Sequence, residues 1–347
     1  MKYDLTQARK CIETLDKRRF DRALLGSGDA FRHIVSLVPL LLHLNHPALP
    51  GYVEDAPAGI ADFILSNYQQ NFLSKEHPEL VEYVQSAVNS DAVFTPILGI
   101  YVMGSFGSIS QTSASDLDIW ICHQDDLSEQ DQQRLAEKTK KITQWASTFH
   151  VEMHFYLMTQ KRFRNERYSD PLTKENSGSA QYMLLLEEFY RSAVRLSGKP
   201  LLWLHLWVED EKQYEAEVAR LVAEGELNPN DWVDFGGLGQ FSASEYFGAS
   251  LWQLYKGIDS PYKSVMKILL LETYAQEYPN AHLIARQFKE DLLSGRSTAA
   301  HHFDPYIAIL ERISQYLTAH SEFKRLDFVR SCFYVKATED FALYHAS

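Results

Sequence analysis

Cysteine is scarce. The chain has three, Cys11, Cys122 and Cys332. Their odd number and their spacing argue against a disulfide framework and against a thiolate metal site. They read as reduced thiols in a cytoplasmic protein. Basic residues are outnumbered: 34 Lys and Arg against 46 Asp and Glu give a formal charge of −12. A nucleic-acid duplex is gripped by a basic face, so no nucleic acid is expected as the main partner. A single nucleotide remains compatible, because divalent cations can neutralise its charge. Long apolar runs are also missing. The longest early one, Ile34 to Leu44, is too short for a bilayer and is interrupted by Ser36, Pro39 and His43, so neither a membrane span nor a leader is expected. At 347 residues there is room for two domains without covalent cross-links.

What is present is concentrated between Ile97 and Cys122. An apolar run, Ile97 to Met103, ends in Gly104-Ser105. A loop rich in Ser, Thr and Gly follows, and Asp116 and Asp118 open a second apolar run. In such a loop hydroxyls and backbone N–H groups can gather around an anion, which makes Gly104, Ser105, Ser113 and Ser115 candidate phosphate contacts. Residues two apart on a strand share a face, so Asp116 and Asp118 project together, about 6–7 Å apart along the chain. Two such carboxylates repel and raise each other's pKa unless a cation joins them. Mg²⁺ is held in this way, by one or two carboxylates plus substrate phosphates. D-x-D alone is more simply a strand beginning with solvated acids. Placed after a Gly-Ser turn, it suits two-metal phosphoryl or nucleotidyl transfer.

Other candidates are weaker. Glu152 opens a later strand and would serve as a third metal carboxylate if it faced the aspartates. His154 shares its face but is more simply a hydrogen-bonded structural residue. Trp120 faces with the aspartates, as a stacking surface for a base or as plain wall. Lys263 and Lys267, four apart at the start of a helix, share a face and would meet a triphosphate tail; the alternative is a solvated basic face. Tyr168, Arg162, Arg164 and Arg167 sit in a polar segment that could cover a substrate.

Periodicity predicts helices over 4–24 and 31–44, a partly ordered connector over 63–74 and a short helix over 78–88. Strands follow at 97–103, 117–123 and 151–158, with a helix over 127–149 between the last two. A helix over 179–197 and a fourth strand over 200–208 complete that part, and everything beyond 209 reads as helical. The expected class is α+β, a mixed sheet flanked by helices and followed by an all-helical domain. The expected divisions are 1–50 for N-terminal helices, 51–208 for the catalytic domain and 209–347 for a helical domain completing the site.

The order of strand, Gly-Ser, loop, Asp-x-Asp strand and later acidic strand resembles the polymerase-beta-type nucleotidyltransferase superfamily. A longer resemblance is to class I adenylate cyclases. It rests on Gly104-Ser105 with Ser113-Ala114-Ser115-Asp116-Leu117-Asp118-Ile119-Trp120, on Leu184 to Arg191, on Glu245 to Lys256, on Ile258 to Lys263, and on His46-Pro47 with Pro50-Gly51-Tyr52. Glu54 to Ala92 carries none of these motif residues. The resemblance implies conversion of ATP to cyclic AMP and pyrophosphate with two Mg²⁺ ions, Mn²⁺ being a possible substitute. It implies that these residues are the amino-terminal catalytic part, and that a carboxy-terminal regulatory region and its sugar phosphotransferase-system carrier lie outside them. The residues themselves point only as far as nucleotidyl transfer. Transfer to a separate protein or small-molecule acceptor, or a nucleotide-binding regulatory module without turnover, are the alternatives.

Overall fold

The computed structural model describes residues 5–84, 95–112, 115–165, 182–239, 241–294 and 303–338. Its centre is a four-stranded mixed sheet: β1 (Ile97–Met103), β2 (Leu117–His123), β3 (Met153–Met158) and β4 (Val194–Gly198), in the order β3-β2-β1-β4. β1 pairs antiparallel with β2 and with β4, and β2 pairs parallel with β3. The parallel pair needs a crossover. It is supplied by α4 (Glu129–Ser147), whose start is capped by Ser128 Oγ accepting from Asp131 N–H.

Strand alternation divides the core into two layers. Ile100, Val102, Leu117, Ile119 and Ile121 point to one face. There they pack with α2 (Asp29–His43) and the buried Leu135, Ile142 and Ala146 of α4. Tyr101, Met103, Trp120 and Cys122 point to the other face and join a larger core. That core draws on α1 (Leu5–Leu25), on α6 (Tyr182–Ser192) and on the helices beyond residue 209, so it runs without interruption across position 208. The helices beyond 209 are α8 (Tyr214–Ala223), α9 (Ala243–Lys256), α10 (Pro261–Gln276), α11 (Ile284–Leu293), α12 (Pro305–Ala319) and α13 (Phe323–Ala337). Asp118 has the parity of Trp120, and period-two alternation turns it toward this helical side. This parity is how residues from the second half of the chain reach the acidic pair.

The α+β class holds: a mixed sheet with helices, then an all-helical region. Two boundaries differ from expectation. The helix expected over 179–197 stops at Ser192, and the fourth strand is β4, not 200–208. After Ala193 the chain alternates Val194-Arg195-Leu196-Ser197. Val194 and Leu196 pack into the α2 layer, while Arg195 reaches Glu13 on the opposite side at 3.2 Å. The expected strand is instead one helical turn, α7 (Leu202–His205), with all four side chains buried. The connector expected over 63–74 is also more ordered than its composition suggested. It contains α3 (Asn67–Glu76), started by a capping box between Ser66 and Gln69, a device worth about 1 kcal/mol. A 3₁₀ turn at Pro78–Leu80 opens the short helix expected next, and α5 (Gln160–Asn165) occupies the start of the polar segment.

Candidate active site

The Gly-Ser turn sits beneath the aspartates. Gly104 has φ +87°, a left-handed conformation that favours glycine, and a Cβ there would lie 3.8 Å from Asp118 Oδ2. Its N–H donates to Ser192 Oγ at 3.1 Å, so that donor is already used. Ser105 is buried, and its carbonyl accepts from both the N–H and the hydroxyl of Ser108. Ser108 and Ser110 hydroxyls lie 3.0 Å apart, and Ile109 N–H donates to Asp304 Oδ2 at 2.6 Å. Gly107 could carry no side chain, since a Cβ there would fall 2.3 Å from Arg19 O. The turn is therefore an internally bonded platform pinned to α1 and α12. Ser115 Oγ accepts from Thr112 N–H at 2.9 Å, and Ser113 lies outside the described residues.

Asp116 and Asp118 are both half-buried. Burial raises the pKa of Asp118 first, and the neighbouring Asp116 raises it further. Lys263, His154 and Lys267 act in the opposite direction. Tyr156 hydroxyl donates to Asp118 Oδ1 at 3.3 Å, and His154 is the register partner of Asp118 on β3. Among the described residues neither aspartate forms an ion pair with a basic side chain. The pair is thus short of positive charge, with the protein supplying a phenol and a distant field.

Lys263 and Lys267 both come to this region from the first turns of α10, but they are not equivalent. Lys267 Nζ is 2.6 Å from Glu188 Oε1, a neutralised pair. Lys263 forms no ion pair among the described residues. Its ammonium lies 5.9 Å from the centre of the Tyr306 ring. The Tyr306 oxygen, then Asp116, Asp118 and Glu188, hold its pKa above the usual lysine range against the cost of burial. Trp120 has the expected facing but is 2% exposed, and its ring stacks on Phe189 at 4.0 Å. The stacking surface proposed for a base is taken, and Trp120 forms wall. Glu152 precedes β3 with its side chain 71% exposed and its carboxylate 3.1 Å from His154 Nε2. It stands at the same end of the β2–β3 pair as the aspartates, and the residue set directly across from Asp118 is His154. Arg164 pairs with Glu215 and with Asp234 at 3.3 Å. Tyr168 and Arg167 fall outside the described residues, and Arg162 lies on α5 with no described side chain.

Residues not singled out earlier form the support. Glu187 and Glu188 sit in the middle of α6. Arg191 Nε is 3.0 Å from Glu187 Oε2, which also binds Tyr274 hydroxyl and Ala285 N–H through its other oxygen. Burial opposes the ionised form of Glu188, but Lys267 and Arg191 hold its pKa down to about 2. Glu-Glu with Arg four residues later in an otherwise apolar helix was the available signal.

Could the acidic pair hold Mg²⁺? The donors are hard carboxylate oxygens, half-buried, mutually repelling and without an ion-pair partner among the described residues, which fits a divalent cation. No cluster of three or more His, Cys, Asp or Glu suited to a metal occurs among the described residues. The protein would thus supply two ligand groups and a bound polyphosphate the rest, the usual arrangement for Mg²⁺.

The sheet turns two acids toward the helical half, and α10 there carries Lys263, which forms no ion pair among the described residues. The comparisons supply the class. The family model "Adenylate cyclase NT domain" matches residues 4–204, and "Adenylate cyclase, class-I, second domain" matches 241–347. An adenylate cyclase of Haemophilus influenzae is 68% identical, over 100% of this chain and 42% of its own length. One from Pasteurella multocida is 62% identical over 98% of this chain and 41% of its own. One from Escherichia coli K12 is 45% identical over 94% of this chain and 38% of its own. No solved structure matches. The chain belongs to the class I adenylate cyclase family, and it spans about two fifths of the length of these curated relatives. Among the described residues no helix is long and apolar enough to cross a membrane.

Proposed function

We propose that this chain carries the catalytic centre of an adenylate cyclase, converting ATP to 3′,5′-cyclic AMP and pyrophosphate at Asp116 and Asp118. The observation that carries the reading is a half-buried carboxylate pair at the start of β2, beside the Gly104 turn, that forms no ion pair among the described residues. Two Mg²⁺ ions, or Mn²⁺, held by Asp116 and Asp118 would supply positive charge to polarise the ribose hydroxyl and the phosphates. The ribose 3′-oxygen forms a bond to the alpha-phosphorus, and the bond from that phosphorus to the pyrophosphate oxygen breaks.

The chain's own residues orient and neutralise. Tyr156 fixes Asp118 through its hydroxyl. Lys263 lies where it can meet the negative charge that builds on the departing pyrophosphate. Lys267 reaches the phosphates only by sharing itself with Glu188. Glu152 and His154, paired at the end of β3, offer an acceptor for the 3′-hydroxyl proton or a further contact for the metal. Catalysis on this account is chiefly positioning and electrostatics.

The test is to incubate the chain with Mg²⁺ and ATP, identify the products, and repeat with Asp116→Asn and Asp118→Asn. Cyclic AMP from the parent, with a loss of about a hundredfold or more in each variant, is expected. A labelled acceptor instead of cyclic AMP would favour nucleotidyl transfer, and ATP binding without pyrophosphate release would favour a regulatory module. The carboxy-terminal regulatory region and the sugar phosphotransferase-system carrier belong to this proposal as partners, with ATP, in a cytoplasmic setting.

A further inference from the structure

A cavity of about 410 Å³ lies between α11 and α12, within the size range of small-molecule sites. Its wall includes Leu283, Ile284, Phe288 and Phe303, the two phenyl rings meeting edge to face at 5.2 Å. Arg19 of α1 also lines it. This side chain is only 5% exposed, and among the described residues it forms no ion pair. Its Nη2 donates to the carbonyls of Arg191 and Phe303, and its guanidinium lies 5.2 Å from the centre of the Phe288 ring. Nε has no hydrogen-bond partner among the described residues.

A buried guanidinium with an unused donor is costly, and natural structures ordinarily satisfy such groups. Asp16 of α1 acts on Arg19 but more strongly on Arg195, and two further acids are already engaged. Asp304 accepts from Arg22, from Ile109 N–H and from two N–H groups of its own helix start. Glu277 is paired with Arg312. Burial lowers the pKa of Arg19 to about 10, against the raising effect of Asp16 and Asp304. Asp291 and Glu311 also line the cavity and would repel a multiply charged anion. One negative charge and an apolar, ring-sized body match what the walls offer.

We infer that the cavity is a small-molecule site distinct from the acidic pair, and that its ligand is a monocarboxylate with an aromatic or branched apolar body, its carboxylate on Arg19. The inference does not depend on the cyclase reading. Benzoate is the probe, with benzyl alcohol as its neutral counterpart, measured by saturation-transfer NMR and by thermal shift. Ala308, half-buried in the cavity wall, gives a variant that fills the space while leaving Arg19 in place. Benzoate should bind the parent with a dissociation constant in the millimolar range or below, about −4 kcal/mol, and raise its melting temperature. Benzyl alcohol should bind at least about tenfold more weakly, and Ala308→Trp should lose benzoate binding while still melting cooperatively. The inference is overturned by no benzoate signal up to about 10 mM, by equal binding of the alcohol, or by undiminished binding to Ala308→Trp.

Discussion

Two pairs of acids lie within the same half of the molecule and are treated in opposite ways. Glu187 is buried and Glu188 half-buried on α6, Arg191, Lys267 and Tyr274 occupy their oxygens, and the pKa of Glu188 is held down to about 2. Asp116 and Asp118, at the start of β2, are half-buried as well, yet Asp118 has its pKa raised, by burial and by its neighbour. The fold can neutralise a buried carboxylate when it supplies the cations. At the aspartates it supplies a phenol, a histidine neighbour and an unpaired lysine instead. The first pair reads as structure, and the second fits the proposed cation site.

The comparison can be broken at either pair. The largest effect should come from the satisfied one. Glu188→Gln leaves Lys267 without its countercharge while Arg191 keeps Glu187, and breaking a buried pair costs about 3–5 kcal/mol, readable in urea unfolding at neutral pH. A folded pKa below the unfolded value gives stability that is full above the unfolded pKa and lost as pH falls toward about 2. The deficit of this variant should therefore shrink in acid. A deficit below about 1 kcal/mol at pH 7 would remove the structural half of the comparison.

Next in size is Asp118→Asn, with cyclic AMP formation down by about a hundredfold, or about 2.7 kcal/mol of barrier, while the metal-free protein is as stable as the parent or more so. If activity and stability fell together, the acid would be a fold element like Glu188. Lys263→Met should raise the KM for ATP by about tenfold, about 1.4 kcal/mol, with little change in unfolding midpoint. An unchanged KM would assign that lysine to the fold. The smallest effect is a pH slope. Asp118 has a folded pKa above its unfolded one, so its contribution is full below the unfolded pKa and is lost as pH rises through the folded value. Metal-free stability should fall across that window by no more than about 1.4 kcal/mol per pH unit, and Asp118→Asn should flatten the slope.

Much of this was legible from local pattern. Alternation in Leu117 to Cys122 put the aspartates on one face of a strand, and that parity alone turns them toward the helical half. Gly104 closes a turn that favours a left-handed residue, as the strand-Gly-Ser order suggested. What was not legible depends on partners far along the chain. Nothing local to Lys267 reveals that Glu188 holds it, 79 residues away. Trp120 looked free to stack because its contact, Phe189, belongs to a distant helix. β4 was absorbed into the preceding helix because Val194 and Leu196 continue its apolar period; pairing with β1 overrides that local pattern. Leu202–His205 read as strand because four buried side chains give the same apolar string in one helical turn as in an extended core strand.

The proposal that Asp116 and Asp118 hold a divalent cation can be tested directly. The most direct measurement is Mn²⁺ titration followed by electron paramagnetic resonance, on parent and Asp118→Asn without nucleotide. Saturable binding by the parent, weakened at least about tenfold in the variant, is the predicted result. Equal Mn²⁺ binding by the two proteins would contradict it.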